Sequence, residues 1–217
     1  MSTSPGKFIV LDGVEGCGKS TQARLLAAWL EAHGTPALLT HEPGAAPVGG
    51  ALRHLLLQSE AQMTPLTETF LFCADRAEHV STVIVPALLD GRWVICDRFS
   101  AATFAYQVWA GGVEPAAFLS LDETARAALK SVPGPQTSRG LPDRTLLLDL
   151  DPAAGLARKS ADAADKIEQR PAAYHLRVRA GFLRYAEQCG GPVTLLNAAA
   201  SPEEIFAQIL LILGLEA

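Results

Sequence analysis

Residues 13–20 read Gly13-Val14-Glu15-Gly16-Cys17-Gly18-Lys19-Ser20, with Thr21 next. This spacing fits G-x-x-x-x-G-K-[ST], a loop that binds the phosphates of a nucleotide. Glycines let the backbone curl so that its N–H groups point inward at phosphate oxygens. A helix that follows adds the positive end of its dipole. In such a loop Lys19 bridges the outer phosphates and Ser20 holds Mg²⁺. The flanks agree, because an apolar run at 8–11 precedes the loop and Leu25, Leu26, Trp29 and Leu30 follow at helical spacing up to Gly34. A glycine-rich turn with a chance Lys-Ser would not need both flanks.

The next cluster is Asp97-Arg98, directly after Val94-Ile95-Cys96. An acid at the end of a buried strand is where phosphate-loop enzymes hold Mg²⁺ or its waters, and Arg98 beside it suits a phosphate. An ordinary strand-end ion pair is the alternative. Phe72 and Arg76 are spaced i, i+4 and share a face if helical. A ring and a guanidinium one turn apart can grip a planar base. The spacing alone also fits Phe72 in the core and Arg76 paired with Glu68 or Asp75. Arg53 sits within Leu52-Arg53-His54-Leu55-Leu56-Leu57 and wants an anionic partner, either a substrate phosphate or a surface carboxylate. Of the histidines, His41 stands near the expected site, whereas His79 and His175 read as surface or structural.

These residues need a scaffold, and the apolar pattern supplies one. Five short apolar runs, at 8–11, 37–40, 93–96, 145–150 and 193–196, read as strands. Their near-continuous apolarity suits a parallel sheet covered on both faces. Helical stretches separate them, so the expected fold is α/β, a doubly wound five-stranded parallel sheet flanked by helices. The longest helical stretch runs from Thr64 to Asp90 with a kink or boundary at Pro86. Residues 42–50 and 131–143 read as loops, and 205–215 as a docked C-terminal helix. The segment 153–170 is rich in alanine and charge and reads as a helix, a mobile stretch and another helix. Such a segment beside a nucleotide site suggests a lid, with Arg158, Lys159, Lys166 and Arg170 as its cations.

At 217 residues the chain suits one domain with a substantial core, 1–217. Its 49% hydrophobic and 19% charged content are ordinary for a globular protein. A net charge of −5 offers no general basic field, so nucleic acid is not an expected partner. Cys17, Cys73, Cys96 and Cys189 show no paired or metal-ligand spacing and read as reduced thiols. No apolar signal core or membrane-length run is present, so the expected location is cytoplasmic.

Taken together, these segments resemble the thymidylate kinase family, of bacterial type, over nearly the whole chain. The resemblance rests on the phosphate loop, Glu42-Pro43-Gly44, Leu52-Arg53, Leu71-Phe72-Cys73-Ala74-Asp75-Arg76, Asp97-Arg98-Phe99, Ala105-Tyr106-Gln107, Pro142-Asp143 before Leu146-Leu147-Leu148-Asp149, and Asp165-Lys166-Ile167-Glu168. It implies phosphorylation of dTMP to dTDP with Mg-ATP by a homodimer. It also implies roles. Phe72 stacks on thymine and Arg76 bonds its edge. Thr103 and Gln107 line the base pocket, Tyr106 lies beneath the deoxyribose, and Glu15 faces its 3′-hydroxyl. Arg53 and Arg98 hold the acceptor phosphate. Lys19, Asp97, Arg98 and Arg158 act in catalysis, with Ser20 and Asp97 at the metal. His41, Ala45, Ala46, Ala102, Val108 and Lys166 depart from the family pattern and bear on activity and substrate choice. The other readings are a different nucleotide or deoxynucleoside kinase on this scaffold, or a nucleotide-binding protein without turnover.

Overall fold

Strands β1 (Phe8–Gly13), β2 (Ala37–His41), β3 (Trp93–Asp97), β4 (Arg144–Asp149) and β5 (Val193–Asn197) form one all-parallel sheet in the order β2-β3-β1-β4-β5. The computed structural model describes residues 6–158, 169–188 and 191–215. Every residue of β1 is buried, as its central place requires, while the edge strands expose Leu39 and Leu195. Side chains alternate across β1. Ile9 and Leu11 pack with Leu26, Leu30 and Leu146 on one face, and Phe8 and Val10 pack with Ile84, Leu88 and Leu129 on the other. The fold is the expected α/β sheet with helices on both faces.

Register decides what the sheet can do. Leu11 of β1 and His41 of β2 both lie opposite Asp97 of β3. The phosphate loop leaving β1, the Asp97-Arg98 corner and the turn after β2 therefore meet at the carboxyl edge, where parallel sheets bind ligands. Helix α1 (Lys19–Ala32) starts directly off the loop and buries Ala23, Leu26 and Leu30. Helix α2 (Gly49–Arg53) continues as a π-helical turn, His54–Gln58. Helix α3 (Pro65–His79) starts at Thr64, whose side chain accepts the Thr67 N–H.

The expected break at Pro86 shows as a change of helix type. Val80–Ile84 is π-helical and joins α3 to α4 (Val85–Leu89), where Pro86 occupies the first turn. Proline cannot donate to the carbonyl of Thr82 four residues back, and the widened turn accommodates this. Next come α5 (Ser100–Thr103), a π-helical stretch Phe104–Trp109, and α6 (Pro115–Ala125). The 131–143 loop is bounded by the 3₁₀ turn Ala127–Ser131 and contains another, Thr137–Arg139. Helix α7 (Pro152–Ala157) is capped by Asp151, and α8 (Ala172–Gln188) and α9 (Pro202–Leu213) flank β5. Most of the expected lid, including Lys159, Lys166 and the Asp165–Glu168 motif, lies outside the described residues, as does Cys189.

Candidate active site

The phosphate loop takes the geometry its glycines allow. Gly13, Gly16 and Gly18 all have positive φ, at 145°, 70° and 95°. Gly16 is required twice over, because a Cβ there would fall 1.9 Å from the carbonyl oxygen of Gly155 on α7. Lys19 is buried, and its Nζ donates to the Val14 carbonyl at 3.3 Å. Burial, then the nearby Arg98 charge, pulls its pKa below the ordinary lysine value. Ser20 Oγ donates to Asp97 Oδ2, and Asp97 Oδ1 is buried without a partner. The two expected metal residues are thus adjacent, with one oxygen uncommitted.

Arg98 is the one non-glycine described residue with positive φ, 72°, a conformation that costs energy and concentrates at functional sites. Its Nη1 donates to the Gly13 carbonyl at 3.2 Å and its Nη2 to Glu15 Oε1 at 3.0 Å. Its Cζ lies over the Tyr106 ring, 5.4 Å from the centroid, and the Tyr106 hydroxyl donates to the same Glu15 oxygen. Burial pushes the Glu15 pKa up, but Arg98, Tyr106 and Lys19 outweigh it and hold the carboxyl below its usual value.

Sequence reasoning passed over Asp12. Its Oδ1 accepts the Gly13 N–H at 2.9 Å, and its Oδ2 accepts those of Phe99 and Ala102 at 3.1 and 2.9 Å. It thereby ties the phosphate loop to the corner carrying Arg98, which lies 3.7 Å away. Burial raises its pKa from 3.8 to about 6 against the pull of Arg98. The signal that singled out Asp97, an acid ending an apolar strand, applies equally to Asp12.

A cavity of about 290 Å³ opens between the phosphate loop and α3. Lys19, Arg98 and Arg53 line it together with Phe72, Arg76, Thr103, Tyr106 and Gln107. Arg76 does not pair with Glu68 or Asp75. It bonds Glu42 at 3.0–3.1 Å, Asp122 at 2.9 Å and Thr103 Oγ1 at 3.1 Å, with its Cζ 4.9 Å from the Phe99 ring centroid. Glu42 and Asp122 come from other elements, so local spacing gave no hint of them. Glu68 instead accepts from Gln107 Nε2 at 3.0 Å, and Gln107 Oε1 is buried without a partner. His79 is structural and fully buried, bonded to Glu42 at 3.0 Å and Thr40 at 2.7 Å, and His175 is buried too. Among the described residues Arg53 pairs with no carboxylate. Its Nη1 donates to the Pro43 carbonyl at 2.8 Å. His41 is exposed overall at the cavity rim, where partial desolvation of its ring and then Arg53 lower its pKa.

A second depression, of about 660 Å³, lies on the other side of the loop against Gly16, Gly18, Thr21, Arg158 and Ser201. Arg158 Nη1 reaches the Ala198 carbonyl at 3.1 Å. Val14 and Cys17 are buried beneath the loop and offer backbone only. Arg170 stacks on Tyr174 and is absent from the linings of both depressions.

The thymidylate kinase family model matches residues 11–209. The chain belongs to the thymidylate kinase family. Among relatives in that family, the thymidylate kinase of Symbiobacterium thermophilum is 42% identical over 200 residues, covering 91% of this chain and 88% of its own. That of Synechococcus sp. strain WH7803 is 42% identical over 215 residues, covering 96% and 95%. The crystal structure of the thymidylate kinase from Ehrlichia chaffeensis superposes with a TM-score of 0.73 at 27% identity, covering 97% of this chain and all of that one. Family membership accords with a cavity that joins a phosphate loop to a ring-and-guanidinium wall. Among the described residues no helix is long and apolar enough to cross a membrane, and no group of three or more His, Cys, Asp or Glu side chains is placed to hold a metal ion.

Proposed function

We propose that this member of the thymidylate kinase family is a cytoplasmic homodimer that transfers the γ-phosphoryl group of Mg-ATP to dTMP. The observation that carries the reading is one cavity lined both by the cations Lys19, Arg53 and Arg98 and by Phe72, Arg76 and Gln107. Phe72 offers a stacking face. The unpartnered Gln107 Oε1 suits the N3–H of a thymine, because a buried acceptor without a donor is costly. Arg76, held by two carboxylates, presents a fixed guanidinium edge. Tyr106 and Glu15 take the sugar, and Arg53 and Arg98 the acceptor phosphate. ATP takes the second depression, with its phosphates on the N–H groups of Val14, Glu15, Gly16, Cys17, Gly18 and Lys19, with Gly13, whose own N–H is held by Asp12, turning the loop, and with Ser20 and Thr21 at the head of α1.

In the reaction an acceptor phosphate oxygen forms a bond to the γ-phosphorus in line with the bond to the β–γ bridging oxygen. That bond breaks and its electron pair leaves with ADP. The acceptor is already an anion, so no strong base is needed. The protein's contribution is alignment and charge stabilisation. Lys19 meets charge on the transferred group, Arg98 holds the attacking phosphate, and Arg158 closes from the donor side. The oxygen pair of Ser20 and Asp97, with its uncommitted Oδ1, fits Mg²⁺, a hard cation that prefers oxygen ligands and retained waters. Held there by Ser20 and Asp97, the ion would supply positive charge against the charge that develops on the transferred phosphoryl group.

Coupled measurement of ADP formation against dTMP, dUMP, TMP, CMP and thymidine tests the assignment, with dTMP expected to give the highest kcat/KM. Lys19→Ala should retain the fold and lose on the order of 3–4 kcal/mol of transition-state stabilisation, as for one lost oxyanion donor. Preference for another acceptor, or near-parental turnover by folded Lys19→Ala, would refute it.

A further inference from the structure

Asp75 sits on α3 between Phe72 and Arg76, fully buried, yet it does not line the cavity. Its two carboxylate oxygens accept the Gly44 N–H at 3.1 and 3.3 Å. Gly44 has φ 115°, and a Cβ on it would fall 2.8 Å from Arg53 Cδ, so the stem of Arg53 lies directly on this residue. The Arg53 guanidinium then bonds the preceding carbonyl, Pro43 O, at 2.8 Å. On the other side, a Cβ on Gly49 would fall 2.7 Å from the Gly44 carbonyl carbon and 2.9 Å from Asp75 Oδ1. The loop from 44 to 49 is therefore closed around Asp75, and it opens into α2, which carries Arg53.

We propose that Asp75 is a positioning residue that clamps the Gly44 turn and so sets Arg53 at the acceptor-phosphate end of the cavity. Through it, the helix that presents Phe72 and Arg76 to the base also fixes the cation for the phosphate. The two ends of the acceptor site are then held at one separation, which suits a nucleoside monophosphate and disfavours a nucleoside without the phosphate. A carboxylate placed only for packing would be an expensive choice here. Burial, then the neighbouring Glu42, raises its pKa from 3.8 to about 6, so its charge is kept at a cost.

The inference rests on Arg53 binding the acceptor phosphate, and steady-state kinetics separate the two claims. Asp75→Ala and Gly49→Ala, which disturb the same contact from opposite sides, should each raise KM for dTMP about 10-fold while KM for ATP stays within about 2-fold. Asp75→Asn keeps an acceptor for the Gly44 N–H and should restore KM to within about 3-fold of the parent. Combined with Arg53→Ala, the Asp75→Ala change should add little, because residues acting through one another are not additive. Unchanged dTMP KM in folded Asp75→Ala or Gly49→Ala, equal effects of these two on both substrates, or full additivity of Asp75→Ala with Arg53→Ala would overturn the clamp. If Asp75→Ala does not fold, Gly49→Ala decides the question by the same KM split, and a parental dTMP KM in folded Gly49→Ala overturns the clamp. A parental dTMP KM in Arg53→Ala would instead remove the phosphate reading of Arg53, and the clamp with it.

Discussion

Arg76 carries two burdens, and its substitution should reveal both. Its guanidinium separates Glu42 from Asp122, and Asp122 also accepts from Arg126 Nε at 2.7 Å and Ser100 Oγ at 2.7 Å. The Arg76, Glu42 and Asp122 side chains are all almost fully buried. Breaking a buried pair leaves an uncompensated charge, a loss of about 3–5 kcal/mol. Arg76→Ala should lower the urea unfolding free energy by this order, besides weakening the acceptor. Phe72 is only half-buried and belongs to no ion pair, so Phe72→Ala isolates the base contact. It should leave the unfolding midpoint near the parent and weaken dTMP binding by roughly 1–3 kcal/mol, with ATP binding unaffected. Calorimetric titration with each nucleotide and urea melts of both variants check this. Parental stability in Arg76→Ala would show that the buried network does not depend on it.

At the scale of elements, α3 matters most, because it carries Phe72, Asp75, Arg76 and His79 in consecutive turns. Its start was readable in the sequence, where Thr64-Pro65 combines a capping side chain with proline in the first turn. Thr64→Ala removes the acceptor for the Thr67 N–H and should cost about 1 kcal/mol in unfolding free energy. Thr64 stands two turns before Phe72, so kcat/KM well below the melting temperature should stay within about 2-fold of the parent. A large loss of activity at unchanged stability would mean that the first turn of α3 shapes the site directly. The strands were legible for a similar reason, since each buried parallel strand shows as a local apolar run. The phosphate loop, Asp97-Arg98 and the Phe72–Arg76 spacing were legible because their signal is also local. Glu42, Asp122, Asp75 and Asp12 acquire meaning only through partners that strand order and loop closure bring from 31 to 90 residues away. The π-helical turns escaped because helical periodicity barely changes over five or six residues.

For the whole molecule, the proposed homodimer requires a surface that a second copy could cover. Along α3, Leu66 is 46% exposed and Phe70 is 52% exposed, and Ala74 follows them at the same four-residue spacing, also exposed. Residues four apart share a helix face, so the three form a stripe on the side away from the buried Asp75 and Arg76. Helix α6, which packs beside α3, adds Leu119 at 43% exposure. Covering the half of Leu66 and Phe70 that is still exposed would contribute about 1 kcal/mol for each side chain. A two-fold dimer buries every such residue twice, since its interface uses the same patch on both subunits. The partner would then brace the outer side of the helix whose inner side forms the base wall. A competing apolar surface lies between α1 and α9, with Leu25 at 39% and Leu211 at 80% exposure. Size-exclusion chromatography with light scattering distinguishes the two faces. The parent and Leu211→Asp should elute as dimers at micromolar concentration. Phe70→Asp should elute as a folded monomer with a raised KM for dTMP, because α3 has lost its outer support. A monomeric parent, or dissociation by Leu211→Asp in place of Phe70→Asp, would exclude the α3 face as the dimer contact.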